Sequence, residues 1–413
     1  MSVLPLQPPQ RSPWRGLRRV LAVRLDQIGD VLMTTPALAA IRDSLPGAEL
    51  TLLTSPGAAA AAPHLPMVDH VWACQVPWMK PLPPAAGASL GHAEAALVDR
   101  LADGGFDAAL IFTVCTQSAL PAAMLCRMAG IGLRAAHSRE NPYGLLTDWV
   151  AETDQVLQGS RLDTRHEVLR QLALCSAVGL QTQDDRLRFE VLDDHRVRVA
   201  AQLHAAGIPR GTPYALLHPG ATAASRRWPA GHFGAAARQL LDSGCAVVVS
   251  GNTAECALAE SVLQASGWPV DAQARGGPAA VSMAGLHNLG ELAALIAGAD
   301  VVVANNSAAA HLAAAVGTPV VDLYALTNPQ HTPWRVRSHV LSHDVPCRWC
   351  LQSTCPLGHN DCVRRVSPDT AARAALDLMA PPPPPLPLLH AVSLSPPVPV
   401  HVPHPLPPRE AFA

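Results

Sequence analysis

The chain has 413 residues, 49% of them apolar and 15% charged, with a formal net charge of -2 and a pI near 6.8. That length exceeds what one hydrophobic core usually serves, so two domains are expected, and the apolar content excludes wholesale disorder. The near-neutral balance offers no basic field for a nucleic-acid backbone, which removes nucleic acid from the expected partners.

The opening "MSVLPLQPPQRSPWRGLRRV" is broken by prolines and lacks an apolar core ahead of a small-residue cleavage site. No unbroken apolar run of about 18 residues follows anywhere, so neither an export signal nor a membrane span is predicted and a cytoplasmic location is expected. Residues 1–17 read as a flexible lead-in. Trp14 and its neighbouring arginines are then either solvated or in contact with an anionic membrane surface.

Strand-like "RVLAVRL" ends in the bend "DQIGD", and a helical run takes over from Val31 to Ser44. Strand-like "AELTLLT" and "HVWAC", a helix near Glu94 to Leu101, "FDAALIFT" and a helix from about Ser118 come next. Helical "HEVLRQLALCSAVGL" and strand-like "LRFEV" complete a first domain over 18–205. A second domain over 206–380 restarts the alternation with "YALLHPG", a helix from Ala230 to Leu241, "CAVVVSG", a helix from about Ala254, "LGELAALIAGA", "DVVVANN", "SAAAHLAAAV" and "PVVDLYA". Short apolar strands separated by helices predict parallel sheets covered on both faces, hence two Rossmann-like α/β domains. Residues 381–413, "PPPPPLPLLHAVSLSPPVPVHVPHPLPP" and beyond, read as a disordered tail, either a bland end or a ligand for a proline-binding module.

Neither GxGxxG nor GxxxxGK[ST] occurs, which weighs against a common dehydrogenase or ATPase. Ligands of open α/β sheets bind beyond the carboxyl ends of strands, and Asp30, His218 to Ala221, Gly251 and Asn305 to Ser307 all lie just past one. In "HPGATAASRRWPAGHF" the guanidinium of Arg226 or Arg227 suits a pyrophosphate, unless both are solvated loop arginines. In "DVVVANNSAAAHLAAAVGTP" a buried strand runs into a helix of small residues, where Ser307 serves as both N-cap and phosphate donor and His311, either a ligand or a structural histidine, follows one turn later. Glu255 either accepts bonds from ribose hydroxyls or simply favours a helix start, and Asp30 has the same ambiguity.

Taken together and in this order, "VRLDQIGDVLMTTPALAAIRDSLPGAELTLL", "HPGATAASRRWPAGHF" and "NNSAAAHLAAAVGTPVVDLY" resemble glycosyltransferase family 9, the ADP-heptose:lipopolysaccharide heptosyltransferases. The closing "PCRWCLQSTCPLGHNDCVRRVSP" resembles a cysteine-bearing segment common in that family. The resemblance implies a GT-B fold: two Rossmann-like domains facing a cleft, with a lipid-linked oligosaccharide acceptor on the first and an ADP-sugar on the second. It also implies an inverting transfer without a catalytic metal or other cofactor, on a chain that works at the inner face of the inner membrane. Carried onto this sequence it makes Asp30 the general base, Arg226 the diphosphate ligand, Glu255 the ribose ligand and His287 a neighbour of the adenine. Asn306, Ser307 and His311 fall on the donor strand and helix. Two positions depart from the family pattern: Asn306 stands for an acid and Ala308 for a glycine, which leaves another nucleotide sugar, another acceptor or a binding-only protein as alternatives.

Cys347, Cys350, Cys355 and Cys362, with His359 among them, are close enough in sequence to hold a structural zinc ion. The spacing is not that of a paired CxxC knuckle, and free thiols are the other reading.

Overall fold

The computed structural model describes residues 13–79, 89–155, 164–269 and 272–381. Its first half runs β1 (Arg19–Arg24), α1 (Ile28–Ser44), β2 (Glu49–Thr54), β3 (His70–Ala73), α2 (His92–Asp103), β4 (Ala108–Ile111), α3 (Leu120–Met128), β5 (Leu133–Ser138), β6 (Asp148–Ala151) and α4 (Glu167–Ala177). Then follow α5 (Asp193–Ala205), β7 (Tyr214–His218), α6 (Ala230–Asp242), β8 (Ala246–Val249), α7 (Cys256–Ser266), β9 (Ala280–Ser282), α8 (Leu289–Gly298), β10 (Val301–Asn305), α9 (Ala308–Val316), β11 (Val320–Leu323), β12 (Ser338–Leu341), α10 (Asp361–Arg364) and α11 (Pro368–Met379).

Two all-parallel six-stranded sheets result, ordered β3-β2-β1-β4-β5-β6 and β12-β11-β10-β7-β8-β9. Read from its other edge, the second order repeats the first. Each order reverses direction at its centre, between β1 and β4 and between β7 and β10, and crevices beyond the strand ends at such points are where open α/β sheets take ligands. The central strands are uninterrupted apolar runs because helices cover both faces.

α1 carries Pro36 in its interior, which removes the amide that would bond Leu32 carbonyl. Thr35 Oγ1 donates to that carbonyl at 2.6 Å instead, so the helix continues. α9 ends at Gly317, whose φ of 83° a residue with a Cβ would adopt only under strain.

Leu32 and Leu38 of α1 share one buried cluster with Leu295 and Ile296 of α8 and with Leu312 and Ala313 of α9, so a single apolar core joins the two halves. Each such leucine or isoleucine contributes roughly 1.5–3 kcal/mol by leaving water. Separate clusters line the outer faces: Leu21, Ile111 and Leu101 on the first sheet, Val247, Phe233 and Val321 on the second.

Some expectations do not hold. Trp14 is 1% exposed within the joint core and is unavailable to a membrane surface, because an indole gains more from burial against Leu45 and its neighbours than from solvent. "LRFEV" joins neither sheet: Glu190 pairs with His64 through its amide to the carbonyl at 2.9 Å and its carbonyl to Nδ1 at 2.7 Å, and Phe189 stacks on the His64 ring. α5 lies against α8, with Val199 and Leu203 in the joint core. Residues 1–12 of the lead-in, and the proline-rich tail beyond Pro381, lie outside the described residues. Among the described residues no helix is long and apolar enough to cross a membrane.

Candidate active site

The loop after β1 leads into α1 with Asp30 in its first turn. Gln27 amide donates to Asp30 Oδ2 at 3.3 Å, so Asp30 does cap the helix. Its other oxygen, Oδ1, faces Arg24 Nη2 at 3.4 Å, and its side chain keeps 19% exposure. Opposite it, α9 presents its N-terminus: a Cβ built on Gly29 would meet His311 Cδ2 at 3.0 Å and the Ala308 Cα at 3.8 Å. Helix starts from the two halves therefore face each other at closest approach.

Between them lies a cleft of about 500 Å³ lined by Gln27, Gly29, Asp30, Arg226, Asn306, Ser307, Ala308, His311, His331 and Ser353. Five predicted residues, Asp30, Arg226, Asn306, Ser307 and His311, thus come together. The structure also separates the two arginines. Arg227 Nε donates to Ala221 carbonyl at 2.8 Å and ties its own loop, while Arg226 lines the cleft. That loop is clamped from behind, since Ser225 amide donates to Ser353 carbonyl at 3.1 Å and Ser225 Oγ to Gln352 carbonyl at 2.8 Å. Asn305 serves the scaffold, accepting from Trp228 amide at 2.9 Å and donating to Pro219 carbonyl at 2.7 Å.

Around this one cleft, Arg226 Nε, Ser307 Oγ, His311 Nδ1 and His331 Nε2 are buried without a hydrogen-bond partner among the described residues. Buried polar atoms are ordinarily paired, so four of them converging on a cavity point to a polar ligand. Burial lowers the His311 pKa to about 3, with His331, His166 and Arg226 adding to it, and lowers the His331 pKa to about 4 against the opposing pull of Glu167, so both rings are neutral at pH 7 and offer hydrogen bonds without charge.

Beneath Asp30 runs an ionic network that the sequence reading missed. Arg24, wholly buried, reaches Asp26 at 2.9 Å and Glu167 of α4 at 2.9 Å as well as Asp30. Burial works against the Arg24 charge, but the three carboxylates outweigh it and keep the guanidinium ionised. Burial alone would raise Glu167; Arg24 and Arg170 outweigh it and hold this carboxyl below its usual range. For Asp26 and Asp30 burial wins over the pull of Arg24, and both are raised. The signal for the network was present: a charged residue inside the apolar run "RVLAVRL", and Glu167 and Arg170 in a helix otherwise suited to burial.

Glu255 and His287 do not line this cleft. Glu255 accepts from Asn252 amide at 2.9 Å and its carboxylate lies over Gly220, where a Cβ would collide with it. His287 Nε2 pairs with Gln202 Oε1 of α5 at 2.8 Å. For the cysteine segment, among the described residues no group of three or more His, Cys, Asp or Glu side chains is arranged to hold a metal ion. All ten cysteines are free thiols, Cys362 packs beside Tyr324, Leu326 and Val345, and Cys347 meets His359 at 3.7 Å. The segment's visible work is to seat the Ser225 loop through Gln352 and Ser353.

The family model for glycosyltransferase family 9 (heptosyltransferase) matches residues 95–360, well over half of the chain. The chain belongs to this family. It is 28% identical over 353 residues to lipopolysaccharide heptosyltransferase 1 of Pseudomonas aeruginosa, covering 82% of this chain and 87% of that one. Against lipooligosaccharide heptosyltransferase 2 of Haemophilus influenzae it is 37% identical over 109 residues, which spans only 30% of that relative and 26% of this chain. In fold it is similar to a family 9 glycosyl transferase from Veillonella parvula (TM-score 0.69, 18% identity, 88% of this chain and 97% of that one). It is likewise similar to the Escherichia coli ADP-heptose lps heptosyltransferase II (TM-score 0.66, 21% identity, 87% of this chain and 98% of that one). The family 9 chain therefore has the GT-B architecture expected of it, and it is a glycosyltransferase.

Proposed function

We propose that this glycosyltransferase moves heptose from ADP-heptose onto the lipopolysaccharide inner core with inversion at the anomeric carbon. The observation that carries the reading is the meeting, across one cleft, of a carboxylate from the first half with a helix N-terminus from the second and an arginine whose Nε has no hydrogen-bond partner among the described residues. The donor diphosphate lies at the start of α9, where the amides and the helix dipole favour an anion, with Arg226 and Ser307 Oγ as further donors. Glu255 reaches the ribose and His287 the adenine further along the second sheet. Structures of an Escherichia coli relative with ADP and with ADP-2-deoxy-2-fluoro heptose support this choice of donor class.

Asp30 accepts the proton of the acceptor hydroxyl as its oxygen forms a bond to the anomeric carbon, and the bond from that carbon to the diphosphate oxygen breaks. ADP leaves with the bonding pair. A raised carboxyl is a better proton acceptor than a free aspartate, provided it is ionised, and Arg24 is the largest pull toward the ionised form. Arg226 and the α9 amides offset the charge that develops on the leaving diphosphate, so the step needs no catalytic metal. Asn306 supplies an amide to the sugar in place of a carboxylate.

The test is mass-spectrometric detection of heptose transfer from ADP-heptose to heptose-deficient core lipopolysaccharide, with Asp30→Asn beside the unaltered chain. Product that falls roughly 100- to 10,000-fold in the variant is expected. Undiminished product in the variant would remove Asp30 as base, and product only with another nucleotide sugar would replace the donor.

A further inference from the structure

The loop after β11 crosses to the first half and is fastened there. Glu167 amide, at the start of α4, donates to Gln330 carbonyl at 3.0 Å, and His166 Nε2 pairs with Thr332 carbonyl at 2.8 Å. His331 stands between these two anchors, and its own backbone is tied to the second half. Its amide donates to Tyr324 hydroxyl at 3.3 Å, and its carbonyl accepts from Asn306 Nδ2 at 3.3 Å. The backbone around this one side chain is thus held from both sides. The ring lines the cleft and is 8% exposed, yet its Nε2 is buried without a partner among the described residues. Buried polar atoms are ordinarily paired, so an unpaired one on an anchored backbone points to a partner that enters the cleft.

The place of the ring narrows what that partner is. Charges act on it from both halves: Glu167, Arg24 and Asp26 of the network beneath Asp30, and Arg226 of the second half. In the proposed transfer the sugar spans the same interval, because its anomeric carbon lies between the oxygen that Asp30 deprotonates and the diphosphate that Arg226 holds. An uncharged imidazole also suits a hydroxyl. Whichever ring nitrogen carries the proton, a hydroxyl complements Nε2, since it both donates and accepts, whereas a diphosphate oxygen serves only one tautomer. Asn306 acquires a reason as well. Its bond to the His331 carbonyl is one that a carboxylate, with no proton to give, does not make.

We infer that His331, held in place by Asn306 and Tyr324, hydrogen-bonds a hydroxyl of the transferred sugar through Nε2, and that it distinguishes the nucleotide sugar from the bare nucleotide. Naming the partner a donor sugar rests on the glycosyl-transfer reading above; the anchored backbone and the unpaired nitrogen do not.

The experiment compares ADP with ADP-heptose by calorimetric titration of the full chain. His331→Leu, which keeps much of the bulk and loses the bond, is expected to weaken ADP-heptose roughly tenfold and to leave ADP unchanged. His331→Gln, which can still bond a hydroxyl, is expected to recover most of that loss. Tyr324→Phe removes the hydroxyl that receives the His331 amide and does not line the cleft, and the same selective loss is expected there at smaller size. On the unaltered chain, nitrogen NMR of the histidine rings, with His331 assigned by its absence from His331→Gln, is expected to show Nε2 shifting with ADP-heptose and not with ADP. Equal weakening of both ligands, weakening of neither, or an Nε2 signal indifferent to the sugar would each overturn the inference and leave the donor reading standing. No binding of ADP-heptose to the unaltered chain would overturn the donor reading, and the inference with it.

Discussion

Replacing Arg24 by Met tests the network that underlies Asp30. The methionine roughly keeps the volume and removes the charge that faces Asp26 and Glu167 at 2.9 Å and Asp30 at 3.4 Å. Glu167 is wholly buried, and its remaining cation, Arg170, is 4.0 Å away, so the variant strands a carboxylate in the interior. Removing one partner of a buried ion pair costs about 3–5 kcal/mol. For domains of this size that corresponds to a thermal midpoint lower by roughly 10 °C. Removing the Glu167 charge as well, in Arg24→Met with Glu167→Leu, is expected to recover most of that loss, because the penalty comes from the unpaired charge and not from the missing contact. The same variant bears on activity. Asp30 must be ionised to accept a proton, so kcat/KM rises with pH through its pKa, and loss of Arg24 moves that acid limb to higher pH. The assays are calorimetry and a pH–rate profile of heptose transfer. A double variant no more stable than Arg24→Met, or an acid limb that stays in place, would refute the account of Arg24 as the largest pull toward the ionised form of Asp30.

Arg226→Ala is expected to lower kcat roughly 100- to 1,000-fold, as removal of a group that stabilises developing charge does, whereas Arg227→Ala, which loses only a loop contact to Ala221, is expected to leave kcat within a few-fold; parallel kinetics on the two variants check this. Stability is expected to fall as pH drops from about 6.5 toward 4, because the unfolded chain protonates at histidines that burial keeps neutral in the fold. His311, held near 3, and His331, held near 4, each contribute about 2 kcal/mol of that loss between pH 7 and pH 5, so urea titrations at the two pH values are expected to converge in His311→Leu relative to the unaltered chain. Ser225→Ala removes the hydroxyl bond to Gln352 and is expected to raise the donor KM several-fold with little change in unfolding midpoint, measured by ADP-heptose saturation and thermal denaturation.

Much of the architecture was legible because its signals are local. "RVLAVRL", "CAVVVSG" and "DVVVANN" are too apolar and too short to be anything but strands buried on both faces, and their alternation with helical runs admits little besides paired Rossmann-like domains. Strands such as β5, "LRAAHS", escaped notice because alanine, arginine and histidine carry little strand preference, and neighbouring strands alone made it one. "LRFEV" went the other way: a good strand pattern found the backbone and ring of His64 in place of a sheet.

The candidate site divides along the same line. Asp30, Arg226, Ser307 and His311 were visible as polar residues just beyond apolar strands, a position fixed by chain order. Sequence also limited the pyrophosphate ligand to Arg226 or Arg227; only the fold, by turning Arg227 onto Ala221, left Arg226 to the cleft. Arg24, Glu167 and His331 come from segments up to 307 positions apart, and their meeting depends on how α4 and the loop after β11 pack against the end of β1. Four close cysteines suggested a metal on spacing alone, and in the fold Cys347 and Cys362 pack on the cluster of Tyr324, Leu326 and Val345. Periodicity and chain order are properties of neighbours in sequence, so the chain alone determined its elements and the strand ends that carry chemistry. Which charges share a buried site is a property of neighbours in space, and only the packing of the two halves on one core decided that.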